Sequence, residues 1–385
     1  MSNSNFNYFA CFSCNAHFNV IKCNRLQFLS LKNSSAPYKC VLQFLFLGRI
    51  NMNAPTIKDV ANAAGVSVAT ISRVLSNPDL VKPATKEHVL RIIKEMNYQP
   101  NVLARQLRTQ TTRAVIVIVP NIENSFFHGI LSGIGTEAER QGYQMLIADL
   151  KSQPSLEKHY IEAIKQRQVD GIISLSANMT QKLETLITEK YPLVMVVQCV
   201  PNYKIPSVSI DNMAASKALM THLIRLGHRE IAHLTVSPLQ MPYQDRLNGY
   251  ISALEEHKIP VDNELISYGE PAIKGGYDQM WTLLAKQKKF TAVFAAGDTM
   301  AIGAMKALKD QGLRVPEDCA VVGFDDIDLS SVWEPAITTI RQPKEMMGRI
   351  AFQKLLALMQ NEPIAVSQEY LPYELVIRES CGYFL

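Results

Sequence analysis

Four groupings of side chains in this 385-residue sequence have residue types that could carry chemistry, and their spacing decides each case. Cys11-x-x-Cys14 with Cys23 and Cys40 offers thiolates for zinc, but the following gaps of 8 and 16 residues match no compact ligand pair. Gly133-Ile-Gly135-Thr-Glu-Ala138 satisfies the letters of a dinucleotide-binding turn. It begins 13 residues after Pro120, inside a helical stretch, where no turn joins strand directly to helix. His222, His228 and His233 fall across a helix end and the next strand, which suits solvated or core histidines. Asp325 and Asp326 are adjacent at a strand end, so their carboxylates point in opposite directions, and no complementary base or nucleophile accompanies them. Phosphate-binding GxxxxGK[ST], GxSxG and HExxH motifs are absent. The sequence therefore predicts no catalytic residue, no metal, no cofactor and no enzyme.

A fifth grouping has spacing that does fit a chemistry, that of reading base edges. Thr56 can cap the backbone three residues on, at Asp59, and Val60, Ala61 and Ala64 then line one face of a short helix. Gly65-Val66 breaks it, and Ser67 caps a second helix from Val68 to Leu75. Two helices and a glycine turn in about 20 residues is helix-turn-helix spacing, with Val66, Ile71 and Val74 as the seam. Val68, Ala69, Ser72 and Arg73 then face outward from the turns that enter a major groove. A third amphipathic helix is expected over Thr85 to Met96, with Val89, Ile92, Ile93 and Met96 on its apolar face. After the Pro100 break, residues 101–108 amount to about two turns of helix, too short to be stable alone in water.

Charge follows the same division. Residues 52–113 hold nine bases and four acids, residues 1–51 five bases and no acid, and residues 114–385 25 bases and 31 acids. A basic head on an acidic body suits a polyanionic partner for the head alone. Residues 1–51 also hold seven of the 14 Phe and four of the seven Cys. Their longest apolar run, Val41 to Leu47, is interrupted by Gln43 and is too short for a secretory signal or a bilayer span. Because Met52 precedes a well-formed domain start, residues 1–51 are read as disordered or as an over-extension of the reading frame. Cys199, Cys319 and Cys381 are too scattered for a disulfide framework, which fits a reducing cytoplasm and no membrane.

From Arg113 onward, apolar runs alternate with helical stretches. Strands are expected at Ala114 to Val119, Gln144 to Ala148, Gly171 to Leu175, Leu193 to Val197, Ile231 to Val236, Ala292 to Ala295 and Ala320 to Gly323. Helices are expected at Ser155 to Gln168, Met213 to Leu226 and Met300 to Gln311. This pattern indicates doubly wound parallel sheets, two units in about 270 residues, with ligands at the carboxyl ends of the strands where the lobes face each other. The predicted organisation is residues 52–100 as a small all-α helix-turn-helix domain, 101–112 as hinge helix and linker, and 113–385 as a two-lobed α/β core for effector binding and dimerisation.

The run Thr56 to Leu75, together with Tyr98-x-Pro-Asn-x-x-Ala-Arg-x-Leu107, closely resembles the DNA-binding head of the lactose/galactose repressor family. The resemblance implies a homodimer on double-stranded, near-palindromic operator DNA. Two hinge helices, Asn101 to Leu107, would fold as a pair in the central minor groove, with Leu107 as the apolar lever, Ala104 on the groove floor and Arg105 beside them. Val68 and Ala69 fill the specificity positions and suit thymine methyls. Arg73 then carries the hydrogen-bonded readout, to guanine. Thr56, Ser67, Thr70, Ser72 and Tyr98 fall to phosphate or positioning contacts.

Arg225 to Ala232, Arg246 to Tyr250, Asp298 to Ala304, Val322 to Asp325 and Pro335 to Pro343 resemble the periplasmic-binding-protein-like core of the same family. The resemblance implies that Phe126 and Phe127 stack on an effector ring, Arg246 donates to it and Asp325 accepts from it; Gln198 is placed with them. Asp211 to Ala215, Met241-Pro-Tyr243 and Gly323 to Leu329 are most similar to cytidine-responsive members. That implies a nucleoside effector and action beside the cyclic-AMP receptor protein, although the hinge here has the full pattern those members lack. Pro271 stands where purine-responsive members carry a stacking Phe, and Gln240 and Pro242 lie near their base contacts, which argues against a purine.

Overall fold

The computed structural model describes residues 55–99, 111–151, 153–176, 185–186, 188–198, 205–236, 241–365 and 367–383. The readings placed on residues 1–51, on the hinge residues Asn101, Ala104, Arg105 and Leu107, and on Gln240 lie outside them. Two compact units divide between residues 101 and 102.

In the first unit, helices α1 (Ile57–Ala63), α2 (Val68–Ser76) and α3 (Pro83–Glu95) surround a core of Val60, Ala61, Ala64, Ile71, Val74 and Val89. Its boundaries come from local chemistry. The backbone N–H of Thr56 donates to Asp59 at 2.8 Å, and the Thr56 hydroxyl accepts from the Asp59 N–H at 3.4 Å, a reciprocal cap that holds the Asp59 carboxyl below its ordinary range. Gly65 turns the chain at φ +64°, a left-handed conformation that favours glycine. The Ser67 hydroxyl accepts from the Thr70 N–H at 3.1 Å and starts α2. Ser67→Ala is expected to cost the head about 1 kcal/mol, read as a lower unfolding midpoint of the head; an unchanged midpoint would mean that this cap adds nothing. Helix α3 starts at Pro83 rather than at Thr85, because the first helical position needs no N–H. Of its expected apolar face only Val89 is fully buried, while Ile92, Ile93 and Met96 are partly covered. A unit this small lacks the interior to enclose them all.

The second unit runs β1 (Ala114–Val119), α4 (Phe126–Arg140), β2 (Gln144–Asp149), α5 (Glu157–Lys165), β3 (Gly171–Ser174), β4 (Leu193–Val196), β5 (Ser207–Ile210), α6 (Asn212–Arg225), β6 (Ile231–Thr235) and α7 (Met241–Glu256). It continues with β7 (Ile266–Tyr268), α8 (Ile273–Ala285), β8 (Ala292–Ala295), α9 (Asp298–Asp310), β9 (Ala320–Val322), α10 (Asp328–Val332), β10 (Thr339–Arg341), α11 (Lys344–Met359), β11 (Gln368–Leu371) and β12 (Glu374–Val376). One lobe carries a parallel sheet in the order β11-β5-β4-β3-β1-β2, the other a parallel sheet in the order β7-β6-β8-β9. The near-continuous burial of β1, β3, β4, β6 and β8 explains their apolar runs, since helices cover both faces.

Three features depart from the expected pattern. Strand β5 reads Ser-Val-Ser-Ile yet is fully buried, its Ser209 hydroxyl satisfied by the Val197 carbonyl at 2.8 Å. Strands β10 and β12 pair antiparallel outside both sheets, and β11 returns late in the chain to the edge of the first sheet. As expected, Gly133-Ile-Gly135 lies within a helix, α4, where a Cβ on Gly133 would collide with the Glu345 carbonyl oxygen. The glycine is therefore there for the close crossing of α4 and α11, not for phosphate. Among the described residues no helix is long and apolar enough to cross a membrane.

Candidate DNA-reading face and effector cleft

Helix α2 buries Ile71 and Val74 and leaves Val68, Ala69 and Arg73 exposed on its outer side, with Val68 40% accessible. The hydroxyls of Ser67 and Thr70 lie 2.9 Å apart at the start of this helix. Ser72 is half-buried, Thr56 is exposed at the start of α1, and Tyr98 is partly buried against the head core. Arg73 thus stands one helical turn beyond an apolar tip, able to extend a guanidinium past two side chains that cannot hydrogen-bond.

In the second unit the carboxyl ends of the strands converge. Pro120 follows β1, Leu150 follows β2, Leu175 and Ser176 follow β3, Val236 follows β6 and Gly269 follows β7; together they line a cavity of about 440 Å³ between the lobes. Asp325, just beyond β9, stands in the same wall. This is where an open parallel sheet binds ligands. Phe126 and Phe127, buried at the start of α4 with ring centroids 5.2 Å apart in an edge-to-face pair, form one side.

Arg246 of α7 is buried and tightly held. Its Nε donates to Asn212 Oδ1 at 3.0 Å, one terminal nitrogen donates to the Ala296 carbonyl at 2.5 Å and the other to Asp325 Oδ1 at 3.1 Å. The guanidinium carbon sits 3.8 Å from the centroid of the Phe324 ring and 5.4 Å from that of Tyr243. Three of its five N–H donors are thereby used. Asp325 also accepts from Gln342 Nε2 at 2.7 Å. Burial pushes its carboxyl above the ordinary range, against the opposing pull of Arg246 and Lys344. Burial likewise raises the Tyr243 phenol to about 12, so it is a neutral donor in the wall.

Gln198 is not in that wall: its amide donates to the Ser176 carbonyl at 2.8 Å, one residue behind the lining. Pro242 and Pro271 do line it. Asn212, Gln342, Tyr243 and Lys344 went unassigned from sequence. Asn212, Tyr243 and Gln342 lie in the family-like segments Asp211 to Ala215, Met241 to Tyr243 and Pro335 to Pro343, which give them no role; Lys344 lies in none.

The remaining suspect groupings resolve structurally. Asp325 turns to Arg246 and Asp326 to Arg341 and Arg378, at 2.6 and 2.7 Å. His233 is wholly buried, stacked on Tyr250 and Phe294, and its Nδ1 donates to the Phe294 carbonyl at 2.9 Å. Burial lowers it to about 4. An unfolded histidine titrates near 6.5, so the folded chain refuses a proton that the unfolded chain takes. The His233 contribution is therefore intact above about pH 6.5 and lost as pH falls toward 4, at about 1.4 kcal/mol per unit. His233→Asn, which keeps an N–H for Phe294, is expected to flatten that part of the acid slope in urea denaturation. Among the described residues no cluster of His, Cys, Asp or Glu could hold a metal.

A helix-turn-helix head in one chain with a two-lobed α/β core and a cleft at its strand ends defines a ligand-responsive DNA-binding regulator. Residues 56–101 match the model of bacterial regulatory proteins of the lacI family, and residues 220–381 that of a periplasmic binding protein-like domain. The HTH-type transcriptional repressor CytR of Escherichia coli K12 is 38% identical over 331 residues, covering 85% of this chain and 96% of CytR. The transcriptional regulator CelR in its cellobiose complex is 33% identical with a TM-score of 0.66, covering 85% of this chain and 99% of CelR. The lac repressor dimer bound to operator and the anti-inducer ONPF is 28% identical with a TM-score of 0.77, covering 86% and 99%. The chain belongs to the lacI family. It is a DNA-binding transcriptional repressor with a ligand-binding core, in a family whose members are regulators and not enzymes.

Proposed function

We propose that the chain is a cytoplasmic homodimeric repressor whose operator affinity is set by a nucleoside such as cytidine in the cleft. The observation that carries the ligand reading is the Arg246–Asp325 pair, 3.1 Å apart, set beside aromatic rings in a cavity of about 440 Å³. A neutral ring with a polar edge stacks on Phe126 or Phe127 and offers one acceptor to Arg246 and one donor to Asp325, and the remaining space takes a ribose. Arg73 reads guanine, Val68 and Ala69 meet thymine methyls, and Thr56, Ser67, Thr70, Ser72 and Tyr98 serve backbone contact. The hinge residues Asn101, Ala104, Arg105 and Leu107 occupy the minor groove. A sugar is the second reading, favoured by the likeness to a regulator solved with cellobiose.

Calorimetry of the full chain with cytidine, adenosine, hypoxanthine and ribose separates the two. No heat with cytidine removes the nucleoside assignment and leaves the family standing. Heat with ribose alone favours the sugar. Leu107→Ala is expected to weaken operator binding while leaving the effector isotherm unchanged; unchanged operator affinity would remove the lever role. Adding cyclic-AMP receptor protein to the same operator assay tests that partnership.

A further inference from the structure

Asp325 and Asp326 are both in the positive-φ region, at 107° and 48°. Residues with a Cβ hold such a conformation only where the surroundings impose it, and they concentrate at functional sites. Most of what imposes it here lies on the second lobe or its connections. The Asp325 N–H donates to the Ile340 carbonyl at 2.9 Å, and the two side chains are held by Arg246, Gln342, Arg341 and Arg378. The two carbonyls of the turn are taken by a single group: Lys344 Nζ donates to the Asp325 oxygen at 2.7 Å and to the Asp326 oxygen at 2.5 Å.

Lys344 belongs to the other lobe. It opens α11, which packs on α4 and on β3, β4 and β5 of the first sheet, whereas the turn follows β9 of the second. Its stem lies flush on α4, where a Cβ placed on Gly129 would come 2.9 Å from the Lys344 Cβ. An ammonium on a pinned stem thus crosses the lobe junction and fixes two backbone oxygens. With the Asp325 N–H held by the Ile340 carbonyl, the bond from Lys344 to the Asp325 oxygen fixes the peptide planes on both sides of the Asp325 Cα, and so the direction in which its side chain leaves the backbone.

We infer that Lys344 is a positioning residue for effector binding: from the first lobe it holds the strained Asp325–Asp326 turn of the second by both carbonyls, and so aims the cleft carboxylate. The inference rests on reading the cleft as the effector site. Any movement of one lobe against the other must carry this ammonium along or break its two bonds. Lobe position and carboxylate orientation are therefore coupled through one side chain.

The test uses the full chain and four variants: Lys344→Met, Lys344→Arg, Asp325→Asn and the double variant Lys344→Met with Asp325→Asn. Without ligand, hydrogen exchange at the amides of residues 324–327 is expected to be at least tenfold faster in Lys344→Met and to return toward wild type in Lys344→Arg, with β1 unchanged. Equal exchange in Lys344→Met and wild type overturns the inference. With cytidine as probe, Lys344→Met is expected to weaken binding tenfold or more, with little further loss when added to Asp325→Asn. Fully additive losses would mean that Lys344 acts independently of the carboxylate, and also overturn it. If the wild type takes up no cytidine, the nucleoside reading fails by itself and the exchange result alone decides the tether.

Discussion

Arg73→Ala is expected to remove discrimination between operator and unrelated DNA, leaving only salt-sensitive non-specific binding. Arg73 is the only side chain on the exposed side of α2 that can make a bidentate contact to a base edge, because Val68 and Ala69 are apolar and Ser67 and Thr70 are engaged with each other. A good bidentate contact is worth about 1–3 kcal/mol of base discrimination. In the proposed dimer it is lost twice, about 2–6 kcal/mol, comparable with the margin that separates specific from non-specific binding. The measurement is titration of a cognate operator and a scrambled duplex at several salt concentrations. Loss on both duplexes alike, with the salt slope reduced by about two, one for each protomer, would mean that Arg73 holds a phosphate and that sequence is read elsewhere.

The placement of Arg73 on the outer side of α2 is legible almost entirely in the sequence, for a physical reason. Thr56 with Asp59, Gly65 at its positive φ, and Ser67 before Val68 each fix a boundary within a few residues of themselves. Strands β1, β3, β4, β6 and β8 were legible because a parallel strand covered on both faces is apolar throughout. Strand β5 was not, since its buried Ser209 hydroxyl is satisfied by backbone carbonyls that a one-dimensional reading cannot supply. The cleft divides in the same way. Arg246 and Asp325 stand out by type within segments that resemble a family, and Phe126 and Phe127 as adjacent aromatics at a helix start. Asn212, Gln342 and Lys344 are ordinary polar residues that matter only because the fold brings them to Arg246 and Asp325 from 34, 17 and 19 positions away. Gln198 shows the converse: it is grouped with the cleft residues in the sequence, but its amide donates to the Ser176 carbonyl and it is not among the residues that line the cavity.

Arg246→Ala is expected to abolish effector binding and to destabilise the core by about 3–5 kcal/mol, the cost of leaving one partner of a buried ion pair alone. Asp325 would keep a buried carboxylate beside Gln342 without its guanidinium, and the Asn212 side chain and Ala296 carbonyl would lose their donors. Against a total stability of about 5–15 kcal/mol that is a large fraction, so loss of ligand binding in this variant alone is ambiguous. The double variant Arg246→Met with Asp325→Asn resolves it. Asn tolerates the positive φ of this position, and neutralising both partners leaves no uncompensated charge buried. The urea midpoint should therefore recover toward wild type while ligand binding stays absent and the operator stays bound. Recovery of both stability and cytidine response would show that the pair serves only the fold. Recovery of stability alone separates the two roles: Arg246 and Asp325 are then kept charged because the ligand needs a donor and an acceptor, since the packed core does not need the charges.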